Sequence, residues 1–145
     1  MKTTYFLLTA IVFALLSFSF PAEMSKEVVA KTNEFRKQYG LPALQEKENL
    51  NEIAQQHSEA MAKGRIAFGH NGFNARHEQA SPKIKSLYSF AENVAYGAET
   101  AAQVVENWKN SPGHRKNMLG KYQYIGVGIA RSKNGQLYYT QIFGG

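Results

Sequence analysis

Asn107-Trp108-Lys109-Asn110-Ser111-Pro112-Gly113-His114-Arg115-Lys116-Asn117-Met118-Leu119 is the stretch that organises the rest of the chain. Ser111-Pro112 reads as an N-cap followed by proline at the first helical position. Gly113 is expected to let the backbone pass close to a neighbour, and His114 falls in the first turn. A helix start presents unpaired N–H groups and the positive end of a dipole, so a histidine there tends to stay neutral and can accept a hydrogen bond or ligate a metal. Upstream, Thr100-Ala101-Ala102-Gln103 has the form of a capping box. Ala101, Val104, Val105 and Trp108 make one stripe of the helix that follows. Glu106 lies nearly opposite that stripe, so it faces solvent and is excluded from a site.

Downstream, Tyr124–Arg131 and Leu137–Phe143 are two β-rich runs joined by Lys133-Asn134-Gly135-Gln136. Asn-Gly between such runs signals an antiparallel hairpin. Gly126 and Gly128 fall on one face of the first strand, which predicts a helix or side chain lying close against it. In the N-terminal half, Val28, Thr32, Phe35 and Tyr39 predict a helix over Ser25–Tyr39, with Ser25 as its cap and Gly40-Leu41-Pro42 as its stop. A second helix is expected over Lys47–Lys63, ended by Gly64. His57 shares its apolar stripe with Leu50, Ile53, Ala54 and Met61, and reads as a core-edge histidine satisfied by one hydrogen bond.

Gly69-His70-Asn71-Gly72 is a loop in which glycines hold His70 in a non-regular conformation. Phe73–Ala80 fits a short helix carrying Arg76 and His77, and Ser81-Pro82 a turn. Glu92 is the one acid in the apolar run Phe90–Ala95, where a carboxylate calls for hydrogen-bond donors. Helices first and a hairpin last give an α+β layered domain.

The N-terminus is a different kind of segment. Met1-Lys2 is followed by an apolar run from Tyr5 to Phe20, broken by Thr9, Ser17 and Ser19. This is short for a membrane span and fits a secretory signal peptide over residues 1–22, cut after Ser19 or Ala22; an uncleaved anchor is the alternative, and would supply the only membrane contact. Residues 23–145 then form one domain. The chain has no cysteine, so neither a disulfide framework nor a lipid-modified cysteine is available. Its net charge of +6 is spread out, with a mild cluster at Lys109, Arg115, Lys116 and Lys121. Such a surface suits solubility or anionic envelope polymers, and a secreted chain is not expected to meet nucleic acid.

Taken in order, several pieces carry a resemblance: Asn33-Glu34-Phe35-Arg36 with Gly40-Leu41-Pro42-Ala43-Leu44, His57-Ser58, Gly69-His70, Ala91-Glu92-Asn93-Val94-Ala95, Trp108-x-x-Ser111-Pro112-Gly113-His114-Arg115, Ile125-Gly126-Val127-Gly128 and Tyr139-Thr140-Gln141-Ile142-Phe143. The ordered set resembles the CAP superfamily (cysteine-rich secretory, antigen 5 and pathogenesis-related proteins), in its cysteine-free bacterial, SCP-like extracellular branch. The resemblance implies a three-layer α-β-α sandwich with a small antiparallel sheet. It also implies a central cavity lined by His70, Glu92 and His114, supported by Asn93, Trp108, Ser111, Gly113 and Arg115. The second glutamate of animal and plant members corresponds to Ser111 here. Two imidazoles and one carboxylate could hold Zn²⁺ or another divalent cation. Three functions are then open. The expected one is a secreted or envelope-associated, non-catalytic module that binds a lipid, a peptide or an envelope component. The alternative is a metal-assisted, peptidase-like hydrolase, for which no separate base or nucleophile stands out. In a third reading, the polar trio is purely structural.

Overall fold

The computed structural model describes the backbone of residues 4–145 and the side chains of residues 20–145. Most of the expected targeting segment, 1–22, therefore lies outside the residues whose side chains are described. Among the described residues, no helix is long and apolar enough to cross a membrane.

The elements in order are α1 (Thr4–Gln38), β1 (Gln45–Glu46), α2 (Glu48–Ala62), α3 (Phe73–Ala80), a 3₁₀ turn (Ser81–Lys83), β2 (Phe90–Tyr96), α4 (Ala101–Lys109), α5 (Pro112–Met118), β3 (Tyr124–Arg131) and β4 (Leu137–Gly144). The sheet order is β1-β3-β4-β2. The hairpin forms as the Asn134-Gly135 turn predicts, pairing Tyr124 with Gly144 and Arg131 with Leu137, and Gly135 takes φ +86°. The sheet is not wholly antiparallel: the two-residue β1 pairs parallel with Tyr124 and Ile125. Neither β1 nor β2 follows from the sequence pattern. β2 is covered on both faces, so it lacks the period-two alternation of a half-exposed strand.

Two apolar clusters sandwich the sheet. Leu50, Ile53, Ala54, Ala80, Ile84 and Ile142 pack α2 and α3 against one face. Val28, Phe35, Val104, Trp108, Ile129, Tyr139 and Phe143 join α1 and α4 to the other. This is the α-β-α sandwich. The glycines of β3 set its thickness on the α2 side: a Cβ at Gly126 would lie 2.3 Å from the backbone of Leu50, and one at Gly128 would lie 2.1 Å from that of Gln55. The close approach expected at these two glycines is thus the backbone of α2 itself.

Both open sheet edges are closed by side chains. Along β3, the Val127 N–H donates to Asn51 Oδ1 and the Ile129 N–H to Gln55 Oε1, each at 2.9 Å. Along β2, Asn117 Nδ2 donates to the Glu92 carbonyl (3.1 Å) and Trp108 Nε1 to the Val94 carbonyl (3.3 Å). Unpaired edge groups invite pairing with another chain, and these caps satisfy them within the fold.

Three local expectations change. Ser25 is not a helix start: α1 runs through it, and its hydroxyl donates back to the Pro21 carbonyl at 2.9 Å. Ser111 does sit at the N-cap of α5, with extended backbone, yet its side chain makes no capping hydrogen bond. At Gly113, a Cβ would meet nothing within 4 Å, so no close approach requires glycine there. Half of the capping box at α4 forms as expected, with Thr100 accepting from the Gln103 N–H (3.1 Å), while Gln103 reaches one residue past the cap to the Glu99 N–H (2.9 Å). Glu106 is exposed and paired with Lys109, as its place opposite the stripe requires.

Candidate functional site

The site is built around Glu92 on the edge strand β2. Glu92 shares the α2 side of the sheet with its cross-strand partner Ile142, and is 4% exposed. A bare carboxylate buried to that degree is costly, so donors must surround it. Arg76, in the middle of α3, supplies two: Nε to Oε2 at 2.6 Å and Nη2 to Oε1 at 2.8 Å. This fork-on-fork geometry is the strongest form of such a pair. The remaining guanidinium donors hold the preceding loop, with Nη1 on the Asn71 carbonyl (2.8 Å) and Nη2 also near the His70 carbonyl (3.4 Å).

His70 follows Gly69, whose φ of +136° is readily reached by glycine. Its Nδ1 lies 2.9 Å from Glu92 Oε1. Because a carboxylate can only accept, the Nδ1 carries the proton and a neutral His70 keeps its lone pair on Nε2. The His70 side chain is 52% exposed, which places it at the mouth of the site. His57, on α2, is buried and donates from Nε2 to the Gly69 carbonyl at 2.9 Å, the single hydrogen bond expected of it. The same nitrogen lies 3.8 Å from Glu92 Oε1, beyond hydrogen-bond range but close enough for its charge to matter. Burial holds the His57 ring below the usual histidine range, and the Arg76 charge adds to that.

His114 approaches from α5. Its carbonyl accepts from Asn93 Nδ2 (3.2 Å), while Asn117 Nδ2 bonds Asn93 Oδ1 (2.9 Å), so two asparagines fasten α5 to β2. Behind them, Asn93 Nδ2 also reaches Gln141 Oε1 (3.1 Å), and Gln141 Nε2 reaches Thr32 (2.9 Å), anchoring the strand to α1. His114 Nδ1 is buried without a hydrogen-bond partner among the described residues. Its pKa is lowered by burial first and by the charge of His70 second, so the neutrality expected of a helix-start histidine has burial as its leading cause.

The structure therefore brings His70 and Glu92 into contact, while His114 joins β2 through its own carbonyl and Asn93. Trp108 and Asn93 support the site from behind. Arg115 points elsewhere: its guanidinium stacks over Phe35 (5.3 Å) and Tyr39 (5.1 Å) and bonds the Tyr39 hydroxyl. Two partners of Glu92, Arg76 and His57, were not assigned to the site from sequence. The pointer to Arg76 was the demand of a lone buried acid for a cation, with Arg76 on the nearest preceding helix.

For a divalent cation, the full trio does not fit as drawn, since both Glu92 oxygens already accept from Arg76, and no group of three histidine or acidic side chains among the described residues is arranged to hold a metal. Of the trio, His70 alone presents a free nitrogen at the surface. Glu92 stands behind His70 as the carboxylate that fixes a ligating histidine's tautomer, and the orphaned His114 Nδ1 marks a second unsatisfied nitrogen.

Comparison with known proteins agrees with this architecture. YkwD of Bacillus subtilis is 35% identical over 122 residues, covering 82% of this chain and 46% of that protein. The chain spans less than half the length of the curated relatives it matches. Among solved structures, an extracellular SCP-domain protein of Bacillus anthracis superposes with a TM-score of 0.71 at 25% identity, covering 85% of this chain and 40% of that one. An outer surface protein of Borrelia burgdorferi shares the fold, with a TM-score of 0.70 at 23% identity over 84% of this chain and 92% of that chain. The profile of the cysteine-rich secretory protein family matches residues 29–143, and with the sandwich and the His70–Glu92 contact in place the chain belongs to that family, the CAP proteins.

Proposed function

We propose that this chain is an extracellular binding domain, with residues 1–22 acting as its export signal, and that its His70–Glu92–His114 cavity holds a ligand without turning it over. The observation that carries this reading is the commitment of Glu92. A hydrolase needs a carboxylate able to take a proton or to hold a metal-bound water. Glu92 is locked on both oxygens by Arg76, and by the resemblance Ser111 takes the place of the second glutamate of animal and plant members. Lipid, peptide and envelope polymer are the ligand classes proposed, with a divalent ion as an accessory at His70. The extracellular character of the Bacillus anthracis relative supports the location.

The test has two arms. Casein and peptidoglycan peptides are incubated with the chain, with and without Zn²⁺, beside Glu92→Gln. No turnover above that variant is expected, and Glu92-dependent turnover would establish the hydrolase instead. Cosedimentation with peptidoglycan sacculi and with phosphatidylglycerol vesicles, compared with His70→Ala, then identifies the ligand class. Retention that His70→Ala leaves unchanged would remove the cavity from the function.

A further inference from the structure

We infer that the corner where α1 meets α4 and α5 is a docking face for a linear, base-free phosphodiester polymer, with Arg115 as its phosphate fork. The face is built without the His70 loop, and the inference does not depend on what that site holds.

Four observations lead to it. The first is where the charge sits. The cations are spread along the chain, but their excess is not. Residues 1–106 hold eleven basic and eleven acidic side chains, whereas residues 107–145 hold six basic ones and no acid, so the whole net charge of +6 lies in that segment. Four of the six, Lys109, Arg115, Lys116 and Lys121, fall on α4, α5 and the turn after them. Among the described residues only Lys109 of these four has an ion pair, with Glu106 at 2.6 Å.

The second is a buried cation beneath the same corner. Arg36 of α1 is 1% exposed, and its guanidinium donates to the carbonyls of Pro42 (3.1 Å), Met118 (2.9 Å) and Gly120 (2.8 Å). No carboxylate is among those partners, and a charge held away from water is screened least, so its field adds to the face. The third is the fixed geometry of Arg115. Its guanidinium lies over the rings of Phe35 (5.3 Å) and Tyr39 (5.1 Å), and Nη2 bonds the Tyr39 hydroxyl. Nε and Nη1 have no hydrogen-bond partner among the described residues. A stacked, planar guanidinium loses less freedom on binding, and phosphate accepts from its fork in two parallel bonds. Lys109 Nζ also lies over Phe35, at 5.3 Å, so two cations share one ring.

The fourth observation concerns the kind of partner. Several cations around one fork suit a chain of repeating charges better than a single phosphate. A bilayer calls for apolar side chains to insert, and a single-stranded nucleic acid for aromatic faces on which bases stack. Neither is offered: Phe35 is buried, and the exposed Tyr39 already carries the Arg115 guanidinium on its ring.

Fluorescence anisotropy of end-labelled poly(glycerol phosphate), titrated with the full chain, tests this. Affinity should fall by about tenfold or more between about 50 and 200 mM salt, as contacts to several phosphates require. Arg115→Glu with Lys116→Glu should lower it by about tenfold or more, while Arg131→Glu with Lys133→Glu, an equal change of net charge on the hairpin, should move it by less than about threefold. Arg115→Lys, which keeps the charge and loses the fork, should lower it by about threefold or more. Lys116→Glu with Lys121→Glu, both at exposed positions, gives the same reading as the first pair if Arg115→Glu disturbs the packing on Phe35. His70→Ala should leave polymer binding unchanged, so failure of this face and failure of the His70 site are read separately. No binding at about 50 mM salt overturns the inference, since charge contacts are strongest there. Equal losses in the face and hairpin pairs overturn it too, because binding would then follow net charge alone. An Arg115→Lys protein that binds like the parent, or equal binding of polygalacturonate, whose charges are carboxylates, removes the phosphate fork. Tighter binding to oligothymidylate or to phosphatidylglycerol vesicles than to the polymer assigns the face to nucleic acid or to a membrane instead.

Discussion

Arg76 Nε lies 2.6 Å from Glu92 Oε2 in a pair where both residues are buried, 16 positions apart in sequence and carried by different elements. The pair joins α3 to the edge strand and sets the charge beside His70. Removing one member of a buried ion pair leaves the other uncompensated, at a cost of about 3–5 kcal/mol. Arg76→Ala and Glu92→Ala should each lose stability on that scale in urea unfolding. A double Arg76→Met, Glu92→Leu variant should recover much of the loss, since replacing both charges with apolar groups is often near neutral. A double variant as unstable as the sum of the singles would show that the two side chains act independently.

The glycines predict opposite outcomes by position. Gly128→Ala would put a methyl 2.1 Å from the backbone of Gln55, so α2 would have to lift from the sheet. Overpacking of a core costs about 1–3 kcal/mol, and contact with backbone puts Gly128→Ala at or above the top of that range. Gly113→Ala meets nothing within 4 Å and lies inside α5. It should be neutral or stabilise by up to about 1 kcal/mol, because alanine favours helix. Equal melting temperatures for the two variants would contradict the packing described for β3.

The amide caps on β3 give a prediction about self-association. Asn51→Ala and Gln55→Ala each leave one strand N–H without its acceptor, costing about 1–3 kcal/mol. The double variant would also expose a run of open edge. It should show concentration-dependent association in analytical ultracentrifugation where the parent does not. A stable, monomeric double variant would mean that the edge is protected by something other than these amides.

Acid should weaken the fold through two histidines. His57 and His114 are both held below the usual histidine pKa in the folded state, chiefly by burial. The unfolded chain therefore binds protons first as the pH falls. The stabilising contribution is complete above the unfolded value of about 6.5 and is lost as pH drops from there towards the lower folded values. Melting temperature should fall between pH 7 and pH 5, and His57→Gln should flatten the decline. A profile unchanged by His57→Gln would place the acid sensitivity elsewhere.

By itself, the sequence determined the parts whose signals are local. The 3.6-residue stripes of α2 and α4, the Thr100–Gln103 cap and the Asn134-Gly135 turn specify their elements because each is satisfied by its own neighbours in the chain. The same holds for the exclusion of Glu106, since one helix has one buried face. The family motifs imply a shared site for His70, Glu92 and His114, of which the contact between His70 and Glu92 is present. Tertiary structure decided what each of those groups is bonded to. β2 needed β4 on one side and the hooks of α5 and α4 on the other, so its own residues carried no strand period. Arg76 reads from sequence only as a residue of a short helix, and α3 lying beside the edge strand is what makes it the partner of Glu92. Ser25, Ser111 and Gly113 had residue types suited to caps and close approaches, yet the neighbours that would use them lie elsewhere. Periodicity reports which face a residue turns inward; which partner waits there depends on chain segments that meet only on folding, and a buried charge takes its chemistry from that partner.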